Sequence, residues 1–243
     1  MSRDRALLEE CQTLQAALRT HASLAQLRRA SDWPSIERRL EAVLSSVRLT
    51  PGAEDTRKPP GRRVRAVHWN IEHGNQYQAI ETTLRTHPLL MAADLVLLNE
   101  VDLGMARSGN RDVAADLAAS LGMHAAFAPL FLETTIGRDD DAVTAGRAEN
   151  QEALFGLAIL SRHPIRAARI VPLPSPLEIH FDRERMWGRH AALVAAIERP
   201  DAPFTAVSAH LEVLRTREHR AAEMRVLLVA LAGAGGPVLL AGD

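Results

Sequence analysis

Four short segments each end an apolar run on a polar side chain: Trp69-Asn70-Ile71-Glu72-His73-Gly74, Leu98-Asn99-Glu100-Val101-Asp102, Ser208-Ala209-His210-Leu211-Glu212 and Ala241-Gly242-Asp243. A buried strand whose carboxyl end opens onto a polar group is a rigid mount for a reactive side chain. The groups so mounted are an amide, a carboxylate, an imidazole and a second carboxylate. Hard oxygen ligands favour magnesium, which keeps several waters and binds through one or two carboxylates plus substrate phosphate. An imidazole nearby can donate a proton or a hydrogen bond to a developing oxyanion. Residue type and placement therefore point to metal-assisted phosphate chemistry at Asn70, Glu100, His210 and Asp243.

Other residues carry two readings each. Glu72, His73 and Asp102 adjoin this set and serve either as partners that orient it or as solvated loop residues. Arg107 and Arg111 flank the polar loop Arg107-Ser108-Gly109-Asn110-Arg111. They could clamp a substrate phosphate, or Asn110 could start a helix with Arg111 in solvent. Arg183, Arg185 and Arg189 read as a solvated basic face. Asp139-Asp140-Asp141 lacks the liganding spacing of a calcium loop and reads as a polar loop.

These residues need elements to hold them. Val64–Trp69 and Asp94–Leu98 read as strands, the second apolar enough to be buried on both faces. Further strands are expected near Ala125–Phe127, Leu154–Leu160, Ala167–Val171, Ala191–Ile197, Phe204–Ala209 and Pro237–Leu240. Ile80 and Leu84 mark a helix ending near Pro88. Val113, Leu117 and Leu121 mark another, stopped by Gly122. Met224, Leu227, Leu228 and Leu231 form the apolar stripe of a third, ended by Gly235-Gly236. Residues 137–151 and 172–188 read as long polar loops.

The first sixty residues have a different texture. Leu7, Cys11, Leu14 and Leu18, then Ile36, Leu40, Val43 and Val47, recur at helical spacing and predict a helical pair. Residues 50–63, rich in Pro, Gly and charge, read as a linker. The expected division is a helical arm and linker over 1–60 and a mixed domain over 61–243. Strands and helices do not alternate at constant spacing, so a barrel of repeated units is not favoured.

Composition narrows the function. The chain has 243 residues, a formal net charge of -1 and 4% aromatics, which predicts no bulk attraction to nucleic acid and disfavours a base-stacking platform, while leaving contact through a metal and local arginines open. One cysteine, Cys11, excludes an intrachain disulfide and any cysteine-built zinc site. No apolar leader or membrane-length run is present, and a cytoplasmic location is expected.

Taken in order, Trp69-Asn70, Leu98-Asn99-Glu100-Val101-Asp102, Gly156-Leu157-Ala158-Ile159-Leu160-Ser161-Arg162-His163-Pro164-Ile165, Ala209-His210-Leu211 and Gly242-Asp243 resemble the motif series of the endonuclease/exonuclease/phosphatase superfamily. The resemblance covers roughly residues 63–243. It implies an α+β fold, a four-layer α/β/β/α sandwich with the active site at its edge, and divalent-metal-dependent cleavage of phosphoesters. By the same resemblance Glu100 is the metal-binding glutamate, with Mg2+ or Mn2+ as the ion. Asn70 orders the metal and phosphate, His210 contacts the scissile phosphate as in the phosphodiesterase branch, and Asp243 is the aspartate of Gly-Asp-x-Asn. The asparagine of that motif, the later Asp-His pair that activates water and the last strands of the sandwich are not among these residues. The chain is therefore expected to be a fragment of a longer protein, incomplete at its C-terminus and inactive alone.

The implied substrates are nucleic acid, a phosphorylated small molecule or a lipid headgroup. Leu98-Asn99-Glu100, where the apurinic-site nucleases carry Leu-Gln-Glu, ranks a phosphodiesterase ahead of that branch. The alternative is a non-catalytic scaffold that keeps the fold and binds a partner through its N-terminal helices.

Overall fold

The computed structural model describes residues 4–52, 63–137, 140–174, 180–199 and 202–243. Most of the expected linker, residues 53–62, lies outside them, as does Asp139.

Two sheets form the centre. In the first, β1 (Arg48–Thr50), β4 (His124–Glu133), β5 (Leu154–Ser161), β3 (Leu95–Leu103) and β2 (Ala66–His73) lie side by side, and β7 (Met186–Gly188) pairs with β4. In the second the order is β10 (Val238–Gly242), β9 (Phe204–Ala209), β8 (Ala191–Ile197), β6 (Ile165–Pro172). The pairs β2/β3 and β9/β10 are parallel and the remaining pairs antiparallel.

Side-chain alternation assigns the faces. Leu95, Leu97, Leu157 and Ile159 point between the sheets and meet Leu193, Ala195 and Ile197 from the other side. The intervening Val96, Leu98, Ala158 and Leu160 point outward and are covered by helices. That covering layer comprises α1 (Arg5–Arg19), α2 (Leu24–Leu27), α3 (Trp33–Leu44), α4 (Tyr77–Thr86) and α5 (Val113–Leu121). On the outer face of the second sheet, Ala192, Val194 and Val207 pack against Leu227 and Leu231 of α7 (Arg217–Leu231). The result is the expected α/β/β/α stack. Both faces of β3 are dry, which is why its apolar run is continuous.

Local chemistry caps the helices, although α5 starts after Asp112 and not at Asn110, whose Nδ2 donates to the Glu149 carbonyl at 3.0 Å, and α7 stops at Leu231, ahead of Gly235-Gly236. The Asp4 carboxylate accepts from the N–H groups of Ala6 and Leu7 at the start of α1, and Asp112 accepts from Ala115 N–H at the start of α5. Gly122 closes α5 at φ 65°. Cys11, Leu14, Leu18, Ile36, Leu40 and Val43 are buried in the same cluster as the first sheet, and Trp33 meets Trp187 edge to face at 4.7 Å. β1, directly after α3, pairs with β4. No helix among the described residues is long and apolar enough to cross a membrane.

Three sequence expectations change. Residues 137–151 contain a helix, α6 (Asp140–Ala145), and residues 172–188 contain a helical turn, His180–Glu184, followed by β7. In both, polar residues hide order because their partners lie elsewhere in the chain. The stripe of α7 is also narrower than expected: Met224, Leu227 and Leu231 pack on the second sheet, and Leu228 does not. Leu228 is 54% exposed, whereas Glu223 is fully buried and accepts from the Glu212 backbone N–H at 3.1 Å.

Candidate active site

Because β2 and β3 run parallel, their carboxyl ends meet at one edge of the first sheet; β9 and β10 do the same in the second. Asn99 joins the two sheets there. Fully buried, it donates from Nδ2 to the Ala209 carbonyl at 2.8 Å, and its Oδ1 accepts from Ser208 Oγ at 3.0 Å. This seam sets Glu100 opposite His210.

Two bulges aim the side chains. The β3 register shifts between Asn99 and Val101, leaving Glu100 unpaired at φ 54°. The β2 register shifts between Asn70 and His73, with Glu72 at φ 48° and His73 at φ 65°. A bulge re-aims one side chain at the cost of a ladder hydrogen bond, and positive φ in a non-glycine residue is strained. Glu100 is accordingly the one residue of β3 that is not fully buried. Gly242 has a different constraint: a Cβ there would sit 2.1 Å from the Ala209 carbonyl oxygen. Only glycine lets β10 approach β9 closely enough to deliver Asp243.

The four expected residues converge. Asn70 Nδ2 donates to Glu100 Oε1 at 2.9 Å and to Asp243 Oδ2 at 2.8 Å. Its Oδ1 accepts from the Glu72 N–H at 3.0 Å. His210 Nε2 lies 3.6 Å from Glu100 Oε1, and His73 Nε2 lies 3.6 Å from Glu100 Oε2. Burial pushes the Glu100 carboxyl up, but hydrogen bonding from His210 and Asn70, with the electrostatic pull of the His73 and His210 rings, outweighs it and holds the pKa at about 2. Glu100 is therefore an anion at neutral pH. Two carboxylates sharing one amide form a hard oxygen donor set that fits a magnesium-like cation.

Glu100 and His210 line a cavity of about 240 Å3 whose wall includes His73, Phe131, Phe155, His180, His190 and Glu212. Arg107 also lines it, but its guanidinium is committed. Nε and Nη2 each donate to Asp102 at 2.9 Å, and Nη1 lies 2.9 Å from Glu133 Oε2. Arg107 is 3% exposed and Asp102 0%. Their geometry is that of a buried clamp beneath the site. Arg111 stands apart: its guanidinium lies over the Tyr77 ring at 4.4 Å and 3.3 Å from Asp116, and it is not among the cavity residues. Glu72 is exposed and enters only through its backbone. Asp102 reaches the site through His73, whose Nδ1 is 3.6 Å away.

Sequence reasoning missed His180, His190 and Glu133, and it assigned no role to Glu212. His180 lies in a segment read as loop, and nothing along the chain marks it as a neighbour of Glu212. The available signals were the His180/Glu184 pair four residues apart and Glu212 two residues after His210, on the same side of an extended chain.

The family model described as Endonuclease/Exonuclease/phosphatase family matches residues 67–243. Among curated proteins nothing matches. Among solved structures, the endonuclease/exonuclease/phosphatase from Beutenbergia cavernae aligns with TM-score 0.51 at 20% identity, over 74% of this chain and 47% of that one. The chain thus spans about half the length of that relative. The human Nocturnin catalytic domain with bound sulfate aligns with TM-score 0.48 at 18% identity, over 78% of this chain and 69% of that one. D. rerio TDP2 complexed with single-strand DNA product aligns with TM-score 0.43 at 16% identity, over 74% and 60%.

Proposed function

This chain belongs to the endonuclease/exonuclease/phosphatase family, and from that premise we propose that the protein hydrolyses phosphoester bonds, phosphodiesters foremost, at the edge formed by Asn70, Glu100, His210 and Asp243. The observation that carries the reading is the convergence of these four residues, two from each sheet, through the Asn70 amide and the Glu100 carboxylate. Glu100 and Asp243 would hold the divalent ion, Mg2+ by the hardness of the donors, with Mn2+ as its substitute. When bound, that ion neutralises phosphoryl charge and stabilises the leaving oxygen.

The chain's own residues do the rest. Asn70 fixes the separation of the two carboxylates with one NH2 group, so neither must be reordered when substrate arrives. His210 points Nε2 into the cavity beside Glu100, and a proton there donates to a phosphoryl oxygen as its charge grows. Losing one such donor costs about 3 kcal/mol, or roughly a hundredfold in rate. Asp102 holds Arg107 and lies beside His73, acting by positioning rather than by touching substrate. In the resemblance, in-line attack draws its base from the later Asp-His pair, so the four residues here are assigned only to gripping the phosphate and stabilising its transition state.

The test is a panel of bis-p-nitrophenyl phosphate, p-nitrophenyl phosphate and a short oligonucleotide, with Mg2+ or EDTA. The full-length protein should cleave the diesters only with metal, and Glu100→Gln should abolish turnover. Turnover in EDTA, or an undiminished Glu100→Gln variant, would count against the reading. Phosphate release from monoesters alone would overturn the preference for diesters.

A further inference from the structure

On another wall of the cavity lies a cluster that the phosphoester reading does not use. His180, His190 and Glu212 each bring one ligand atom to within 4.8 Å of the others. They come from three places in the fold: the helical turn after β6, the residue before β8 and the loop after β9. All are buried, at 2%, 4% and 0% exposure. His180 Nε2 lies 2.8 Å from Glu212 Oε2, and His190 Nε2 lies 3.7 Å from the same oxygen. A tetrahedral ion with bonds of roughly 2.0–2.1 Å spaces its ligand atoms about 3.4 Å apart. The two observed gaps straddle that value.

The outer partners are also present. A metal-binding histidine usually has its second ring nitrogen held by a carboxylate or another polar group, which sets its tautomer and orientation. His180 Nδ1 lies 2.8 Å from Glu184 Oε2, and His190 Nδ1 lies 3.0 Å from His210 Nδ1. Phe131 packs edge-on against both rings, at 4.9 and 5.4 Å, and walls the cluster off on that side. Two imidazoles and one carboxylate suit Zn2+ and its transition-metal neighbours, whereas Mg2+ takes oxygen ligands.

We propose that His180, His190 and Glu212 form a second, nitrogen-rich divalent metal site of the zinc type, separate from Glu100 and opening into the same cavity. The three residues line the cavity, so the remaining coordination position faces the space next to Glu100 and His210. Occupancy has a consequence for the neighbouring histidine. With Nε2 of His190 on the ion, its proton sits on Nδ1 and is donated to Nδ1 of His210. His210 then carries its own proton on Nε2, directed toward Glu100 and the phosphate position. The second ion would thus fix the tautomer that a phosphate-binding histidine needs.

The test is metal binding and needs no turnover. Metal-free protein, residues 1–243, is titrated with Co2+ in excess Mg2+, and the visible d–d bands are followed. One equivalent should bind with a tetrahedral spectrum. Glu184→Gln should weaken binding roughly 10- to 100-fold, and His190→Ala or Glu212→Gln should abolish it, while Glu100→Gln leaves it unchanged. X-ray absorption of the zinc-loaded wild-type protein serves should the ligand variants fail to fold, and should count two imidazoles. No binding, displacement by Mg2+, loss in Glu100→Gln or an imidazole count other than two each overturns the proposal.

Discussion

Asp102→Ala is the sharpest test of the site's foundation. Asp102 is fully buried and takes two of the three close contacts of Arg107, both at 2.9 Å; the third goes to Glu133. The substitution leaves a buried guanidinium without its main partner, and because arginine does not lose its proton in proteins it stays charged. Breaking a buried ion pair from one side costs about 3–5 kcal/mol. Because Glu133 remains, the lower end applies, about 3 kcal/mol. At roughly 2–4 °C per kcal/mol for a chain of this size, Tm should fall by about 6–12 °C. Urea and thermal unfolding followed by far-ultraviolet circular dichroism measure both numbers. The double variant Asp102→Leu with Arg107→Met removes both charges and should recover at least half of the loss. A single variant within about 0.5 kcal/mol of wild type, the scatter of ordinary surface substitutions, would refute the clamp. A double variant no better than the single would do the same.

Four further outcomes follow from the same structure. Gly242→Ala should reduce diester turnover in the full-length protein far more than it lowers Tm, since a Cβ 2.1 Å from the Ala209 carbonyl displaces Asp243 at the sheet edge; equal turnover would show that the close approach is unnecessary. Burial pushes the Cys11 thiol up to about 12, so it should resist alkylation at pH 8 in folded protein and react at once in urea. Between pH 9 and about 12 the unfolded thiol loses its proton while the folded one keeps it; stability must therefore fall as pH rises, and Cys11→Ala should flatten that limb of a pH–stability profile. Leu97→Ala, fully buried between the sheets, should cost about 2–5 kcal/mol in urea unfolding with no change in cofactor affinity measured by titration.

The two metal readings predict different ion preferences within one cavity. The Glu100 edge presents oxygen, the His180 wall presents nitrogen, and His210 stands between them, 3.6 Å from Glu100 and 3.0 Å from His190. A rate profile measured against both ions will separate their contributions, because Mg2+ should act at the first and leave the second to a softer ion.

Much of this protein could be read along the chain. The apolar run Leu95–Leu98 identifies a strand dry on both faces, because only a central strand in a covered sheet tolerates such continuity. Gly122 is a local device: its left-handed backbone ends the helix it follows, within one turn of itself. Asn70, Glu100, His210 and Asp243 stand out in the sequence through the resemblance of their ordered motifs to a known series; the parallel pairing that brings them to one edge belongs to the fold.

Tertiary structure decided what lies across gaps in sequence. The bulge that lifts Glu100 out of its ladder arises from pairing on both sides of β3 and leaves no mark in composition. Arg107 reads as a phosphate clamp until folding brings Glu133 to the face opposite Asp102. His180, His190 and Glu212 belong to no common pattern in the sequence. Their meeting depends on how the second sheet stacks on the first, and stacking is set by the shape of the whole core, not by any segment alone.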